Sequence, residues 1–227
     1  MYPIRPNHQR GQVAIKVFYA VIISSIITLA LLVAQWYLFT KVYAHGDDSY
    51  SDTLFMVFGS DRIFKFIDTG VRITSMVVFI KWLRRAYYNL HIANPAAASF
   101  DEGWAAGAWF VPILNWIRPF QITREIWTGT QATMPHRYPE PNPPAPVSTW
   151  WALYLLVTFG GVAMLFIPVT EYFNEWFIGS ILLEVITVAA ALATVYMIKK
   201  IMAFEDDLWH EAQNPSDDVF AITAAQF

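Results

Sequence analysis

Long apolar runs separated by short polar breaks dominate this chain, and four of the runs match the thickness of a bilayer. Residues 17–39 form about 23 consecutive, largely apolar positions, against the ~20 that a helix needs to cross a ~30 Å hydrocarbon core. Residues 150–169 and 177–198 are equally clear, the first opening on Trp150 and Trp151, the second closing on Lys199 and Lys200. Residues 66–83 form a weaker fourth run, with Asp68 and Arg72 near one end and Lys81, Arg84 and Arg85 near the other. A run of ~23 residues exceeds the roughly 7–15 of a cleaved leader, so 17–39 reads as a retained signal-anchor after Arg5, Arg10 and Lys16. Between the first two runs, the mixed stretch after His45-Gly46-Asp47-Asp48 is read as holding an interfacial helical turn.

The run 104–120 is different. It contains Pro112, Asn115 and Pro119 and ends near Arg118. As a straight helix its ~17 residues would reach about 25 Å, short of the core. Charge supplies the stronger argument. If 104–120 does not cross, Arg5, Arg10, Lys16, Lys81, Arg84, Arg85, Arg118, Arg124, Arg137, Lys199 and Lys200 share one side, with only Lys41, Arg62 and Lys65 on the other. Positive residues concentrate in cytoplasmic loops. The expectation is therefore an all-α integral membrane protein with four spans, both termini cytoplasmic, and 104–120 as a re-entrant or interfacial hairpin.

The domain plan follows from these runs: a cytoplasmic segment 1–16, one membrane domain 17–203, and an acidic cytoplasmic tail 204–227 carrying Glu205, Asp206, Asp207, Glu211, Asp217 and Asp218. Within the domain, 84–134 forms a cytoplasmic lid and the proline-dense 135–147 a polyproline II spacer. Residues 119–130 read as a short amphipathic helix, with Ile122, Ile126 and Trp127 on one side.

Composition narrows the functional classes. Hydrophobic residues make up 56% and charged residues 15%, against about a quarter charged in soluble domains. A net charge of −3 without a basic surface run argues against nucleic acid as a partner. The absence of cysteine excludes disulfides, thiolate metal sites and cysteine nucleophiles. None of the five histidines lies within a span, so bis-histidine haem is not expected, although His91 and His136 share the cytoplasmic side. No nucleophile elbow, phosphate loop or zinc-protease motif appears, and no cofactor or metal is expected.

The lid carries the most distinctive motif. Trp82, Leu83, Arg85, Ala86 and Asn89 close the second run; Gly103, Trp104, Gly107, Trp109, Phe110, Pro112 and Asn115 follow, then Pro119, Glu125 and Trp127. This succession resembles the DUF4328 family of small multi-spanning bacterial membrane proteins. The resemblance implies a fold and a bacterial membrane location, and brings no catalytic residue with it; helical spans with cytoplasmic positive charge suit an inner membrane and not an outer-membrane barrel. Read physically, Pro112 and Pro119 break the backbone, Gly103 and Gly107 permit close approach, Asn115 bonds freed carbonyls, and Arg85 pairs with Glu125 to clamp the lid.

Intramembrane charge is the other candidate chemistry. Asp68 and Arg72 are four residues apart and share a helix face. Glu184 lies about seven residues into the last run, at a depth similar to Arg72 on the same leaflet. A lone carboxylate there is costly, which predicts a Glu184–Arg72 bridge completed by Asp68; a proton or ion relay is the functional alternative. Gly160-Gly161 reads as a packing notch. Two functional expectations remain. One is a non-enzymatic scaffold, regulatory or accessory subunit presenting its aromatic lid (Trp104, Trp109, Trp116, Trp127) to a protein partner or second copy. The other is a small transporter or ion sensor working through Asp68, Arg72 and Glu184. Membrane lipid is a partner in either case.

Overall fold

The computed structural model describes residues 4–168 and 171–213. The tail beyond Gln213, with Asp217 and Asp218, lies outside the described residues, as do the first three residues and Val169, the expected last residue of the third span. The described residues are 82% helical and no strand occurs among them, which settles the all-α class. Among the described residues six α-helices follow in order: α1 His8–Phe39, α2 Ser51–Ala93, α3 Trp104–Gly107, α4 Arg118–Ala132, α5 Ala145–Met164 and α6 Phe173–Gln213. A π-helical turn, Thr40–Ala44, extends α1.

Among the described residues three helices are long and apolar enough to cross a membrane: α1 with its extension, α5 and α6. Helix α2 is 43 residues long and unbroken, so length is not what sets it apart. Its expected span, 66–83, includes Asp68, Arg72 and Lys81, and those charges lower its hydropathy. The interfacial turn expected before it is instead the start of α2 itself, from Ser51, where Asp61 and Lys65 pair across one turn at 2.8 Å. Residues 104–120 form no continuous helix, so they cannot cross as one. Helix α3 ends at Gly107 and Pro112 lies in the turns beyond it, while Pro119 stands in the first turn of α4, where its fixed φ and missing N–H are tolerated. The acidic tail begins as the end of α6.

The chain divides into two compact units, and the division falls inside α1, α2, α5 and α6. The first unit holds the described parts of Met1–Ile15, Val78–Ser148 and Tyr196–Phe227. Its core is built from Trp82, Leu83, Tyr87 and Leu90 of α2, Ile122, Ile126 and Trp127 of α4, and Met197, Ile198 and Ile201 of α6. The expected amphipathic face of α4 is thus the buried one. Gly129 belongs to it for a steric reason: a Cβ there would come within 2.8 Å of both Ala97 and Leu90. Trp127 stacks edge-on against Phe204 and donates through Nε1 to the Asn142 carbonyl at 2.9 Å. Gln131 Oε1 accepts from Asn142 N (2.7 Å) and Nδ2 (2.9 Å). The proline-rich segment is therefore fastened to α4 and not a free spacer, and α5 begins at Ala145, before its expected end.

The second unit holds Lys16–Val77 and Thr149–Val195. Many of its large apolar side chains are exposed, including Ile23, Ile26, Phe66, Ile73, Leu156 and Leu182. A surface of this kind is expected in lipid and not in water. Gly160 is a packing notch as expected, since a Cβ would lie 2.8 Å from Leu183 Cδ1, whereas Gly161 faces open space.

Candidate functional site

Helix periodicity assembles the charged triad, all of it within the second unit. Asp68 and Arg72 lie one turn apart on α2, and Glu184 comes from α6. Arg72 Nε donates to Asp68 Oδ2 at 2.7 Å, and Arg72 Nη2 donates to Glu184 Oε1 at 2.7 Å and to Ser25 Oγ of α1 at 3.3 Å. The guanidinium fork suits this task because its donors diverge in one plane and can hold two carboxylates at once. Both acids are largely buried, and Asp68 Oδ1 is buried with no hydrogen-bond partner. The expected bridge thus forms with all three members. Two carboxylates face one guanidinium, leaving one surplus negative charge.

The lid motif assembles in the first unit, but not by the expected clamp. Glu125 Oε2 accepts from the Tyr87 hydroxyl at 2.7 Å and from Ser99 N at 3.2 Å; Arg85 is not its partner. Positions 85 and 87 are about 200° apart around a helix, so only one of them can face α4. Burial and the bond to Glu125 raise the Tyr87 hydroxyl above its ordinary value. Its oxygen also accepts from Phe100 N at 3.1 Å, tying the α2–α3 loop to the same point. Arg118 is stacked over the rings of Phe100 and Trp104 at 4.5 and 4.3 Å. Trp82, Trp109 and Trp127 are buried and Trp104 partly so, which corrects the expectation that the tryptophans form a presented face; only Trp116 of the four lid tryptophans is exposed. Gly103 and Gly107 mark no close approach, since nothing nearer than 3.9 Å would meet an added Cβ. Asn115 enters the turn through its backbone N–H to Val111 O (3.0 Å), while its Oδ1 is buried without a partner.

What the lid does present is aliphatic and aromatic. Phe110 (73% exposed), Val111, Ile113 (64%), Trp116 and Ile117 stand out from the loop between α3 and α4. Ile113 has φ 69° and ψ −51°, and Leu114 N–H bonds the Pro112 carbonyl at 2.8 Å, a γ-turn of the strained hand. Positive φ is unfavourable for a β-branched residue.

A second polar cluster, also within the first unit, was not legible as a site. Glu205 of α6 is only 6% exposed. It accepts from Asn7 Nδ2 through Oε2 (2.8 Å) and from Asn89 Nδ2 through Oε1 (3.0 Å). Asn89 in turn holds the backbone of Arg5 from both sides, accepting from its N–H (3.0 Å) and donating to its carbonyl (2.9 Å). Burial pushes the Glu205 carboxyl up to about 7. The available signal was its position in the stripe Ile198, Ile201, Met202, Glu205, Leu208, whose apolar members are all buried.

His91 and His136 have different partners: His91 bonds the carbonyls of Tyr87 and Phe100, and His136 pairs with Glu211 at 3.4 Å. Among the described residues no three His, Asp or Glu side chains are grouped to hold a metal. Comparison with curated proteins found no match, and comparison with solved structures found none either. The family model described as a domain of unknown function, DUF4328, matches residues 47–203. That interval contains α2 to α5, most of α6, the triad's Asp68, Arg72 and Glu184 and the whole lid motif, and the chain belongs to this family.

Proposed function

We propose that this chain is a non-enzymatic accessory or regulatory protein of a bacterial inner membrane, crossing it four times and presenting the α3–α4 loop to a membrane-protein partner. The fourth crossing is α2. Its apolar residues Phe66 (83% exposed), Ile67, Ile73, Met76 and Val77 face outward, while Asp68 is turned in against Arg72. A helix with lipid-suited residues outside and its charges paired inside is compatible with hydrocarbon despite its composition. With four spans, the positive residues collect on one side, which is then cytoplasmic together with the lid and both ends of the chain.

The observation that carries the functional reading is the γ-turn at Ile113. Strain of order 1–3 kcal/mol at a residue whose side chain is mostly exposed costs stability with little internal return. An outward contact supplies the return. Ile113→Gly is accordingly expected to raise stability by about 1 kcal/mol, read as a higher thermal midpoint in detergent, while weakening partner contact. A photo-crosslinking residue placed at Phe110 or Ile113 in native membranes tests that contact. A single stoichiometric protein adduct supports the accessory reading, and a self-adduct makes the partner a second copy. Adducts to lipid alone would reduce the loop to an interfacial hairpin.

A second reading, a small transporter or ion sensor, is favoured by the surplus charge of the triad and the unsatisfied Asp68 Oδ1. A proton or small cation there would neutralise the excess. This reading requires that Glu184→Gln abolish transport or signalling while the protein remains folded and inserted.

A further inference from the structure

Four arginines converge where α1 begins and where α2 passes the end of its apolar run. Arg5, Arg10, Arg84 and Arg85 line a cleft of about 270 Å³ together with Tyr88 and Glu102, all within the first unit. Four guanidinium groups therefore face a single carboxylate. Glu102 Oε1 reaches Arg84 Nε at 3.3 Å, a distance longer than a good charge-assisted bond. Arg10 spends one donor on the Lys81 carbonyl at 3.2 Å. Arg5 lies flat over the Tyr88 ring, 4.4 Å from its centroid. Arg85 has no carboxylate within ion-pair distance among the described residues. The Tyr88 hydroxyl is buried and has no hydrogen-bond partner.

Like charges gathered without counter-charge repel, and a buried hydroxyl left unpaired carries its desolvation cost. Burial, then the neighbouring Arg10 and Arg5, push the Arg85 guanidinium below the ordinary arginine value. One ligand chemistry answers every feature of the cleft. A tetrahedral oxyanion offers several acceptors to planar guanidinium forks and one to a hydroxyl. We propose that the cleft of Arg5, Arg10, Arg84, Arg85 and Tyr88 binds a phosphate group. Arg84 and Arg85 directly follow the apolar run 66–83, so the phosphodiester of an anionic lipid reaches them from the headgroup layer, where basic residues at helix ends hold such lipids. A soluble phosphate would offer the same oxygens.

The test uses the full chain purified in a neutral detergent. Native mass spectrometry compares retention of phosphatidylglycerol with that of phosphatidylcholine, and a thermal-shift titration with inorganic phosphate against chloride covers the soluble source. Phosphatidylglycerol is expected to be retained about tenfold more strongly than phosphatidylcholine, with Arg85→Gln and Tyr88→Phe each removing most of that preference. Arg124→Gln, which deletes an equal charge from exposed α4 surface, should leave it unchanged. Stabilisation by inorganic phosphate, lost in the same two variants and without lipid preference, would support the site and name a soluble ligand. Should Arg85→Gln fail to fold, Tyr88→Phe decides, because it keeps the ring beneath Arg5 and removes only the hydroxyl. Wild-type protein that distinguishes neither ligand from its control, or variants that bind as wild type does, would overturn the proposal.

Discussion

Replacing Arg72 with methionine is expected to destabilise the protein by about 3 kcal/mol or more, while neutralising the whole triad restores most of that loss. The asymmetry follows from what each change leaves behind. Arg72→Met strands two largely buried carboxylates that currently share one guanidinium at 2.7 Å each. Removing one partner of a buried ion pair costs roughly 3–5 kcal/mol because the remaining charge is uncompensated. The triple variant Asp68→Leu, Arg72→Met, Glu184→Leu strands neither a charge nor a polar group, and replacing complete buried ion pairs by apolar residues of similar volume is often near neutral. Thermal unfolding of both variants in the same detergent measures the contrast. Equal loss in the two would mean that the triad's geometry, and not its charge balance, holds α2 to α6.

Stability of the wild-type protein is expected to fall by roughly 3 kcal/mol as pH rises from about 4.5 to 7, with Glu205→Gln removing that slope. The ordinary glutamate value is 4.5 and burial lifts Glu205 to about 7, against the opposing effect of its bonds from Asn7 and Asn89. Between those values the folded protein keeps a proton that the unfolded chain releases. Raising pH through this window therefore favours unfolding, and the loss levels off above it. Asp206, which His8 contacts at 2.8 Å, and Arg85 are the charged groups acting on Glu205. Both remain in the Glu205→Gln variant, so the difference between the two proteins isolates the Glu205 proton. The neutral side chain has a ready acceptor, because Asn7 Oδ1 is buried without a partner and a flip of that amide brings it round. Denaturation midpoints at pH 5 and pH 8 for both proteins check the sign and the size.

Much of the architecture was readable because a few strong signals set it. Apolar length placed α1, α5 and α6, and the spacing of Asp68 and Arg72, with Glu184 at matching depth, foretold the triad. Helix phase was harder. Arg85 and Tyr87 are two residues apart and equally eligible by sequence, and only the rotation of α2 assigns Glu125 to Tyr87. Glu205 stands beside Asp206 and Asp207, so the charge run reads as solvated tail; burial of its flanking stripe appears only once α6 is packed. The outward turn of Phe110 and Ile113 depends on a backbone conformation that no glycine or asparagine announces. The tryptophans of the lid motif are mainly core residues, and their density gave the impression of a presented face.

The four-span arrangement underlies the reading of the lid, the termini and the loop, and a chain without native cysteine allows it to be tested directly. Single cysteines at Ser49, Ser99 and Ala132, all exposed positions, are probed in intact cells and in inverted vesicles with an impermeant maleimide. Labelling of Ser99→Cys and Ala132→Cys only from the cytoplasmic face, with Ser49→Cys only from the opposite face, is the expected result. Labelling of Ser49→Cys and Ser99→Cys from the same face would show that α2 does not cross, and would contradict the account.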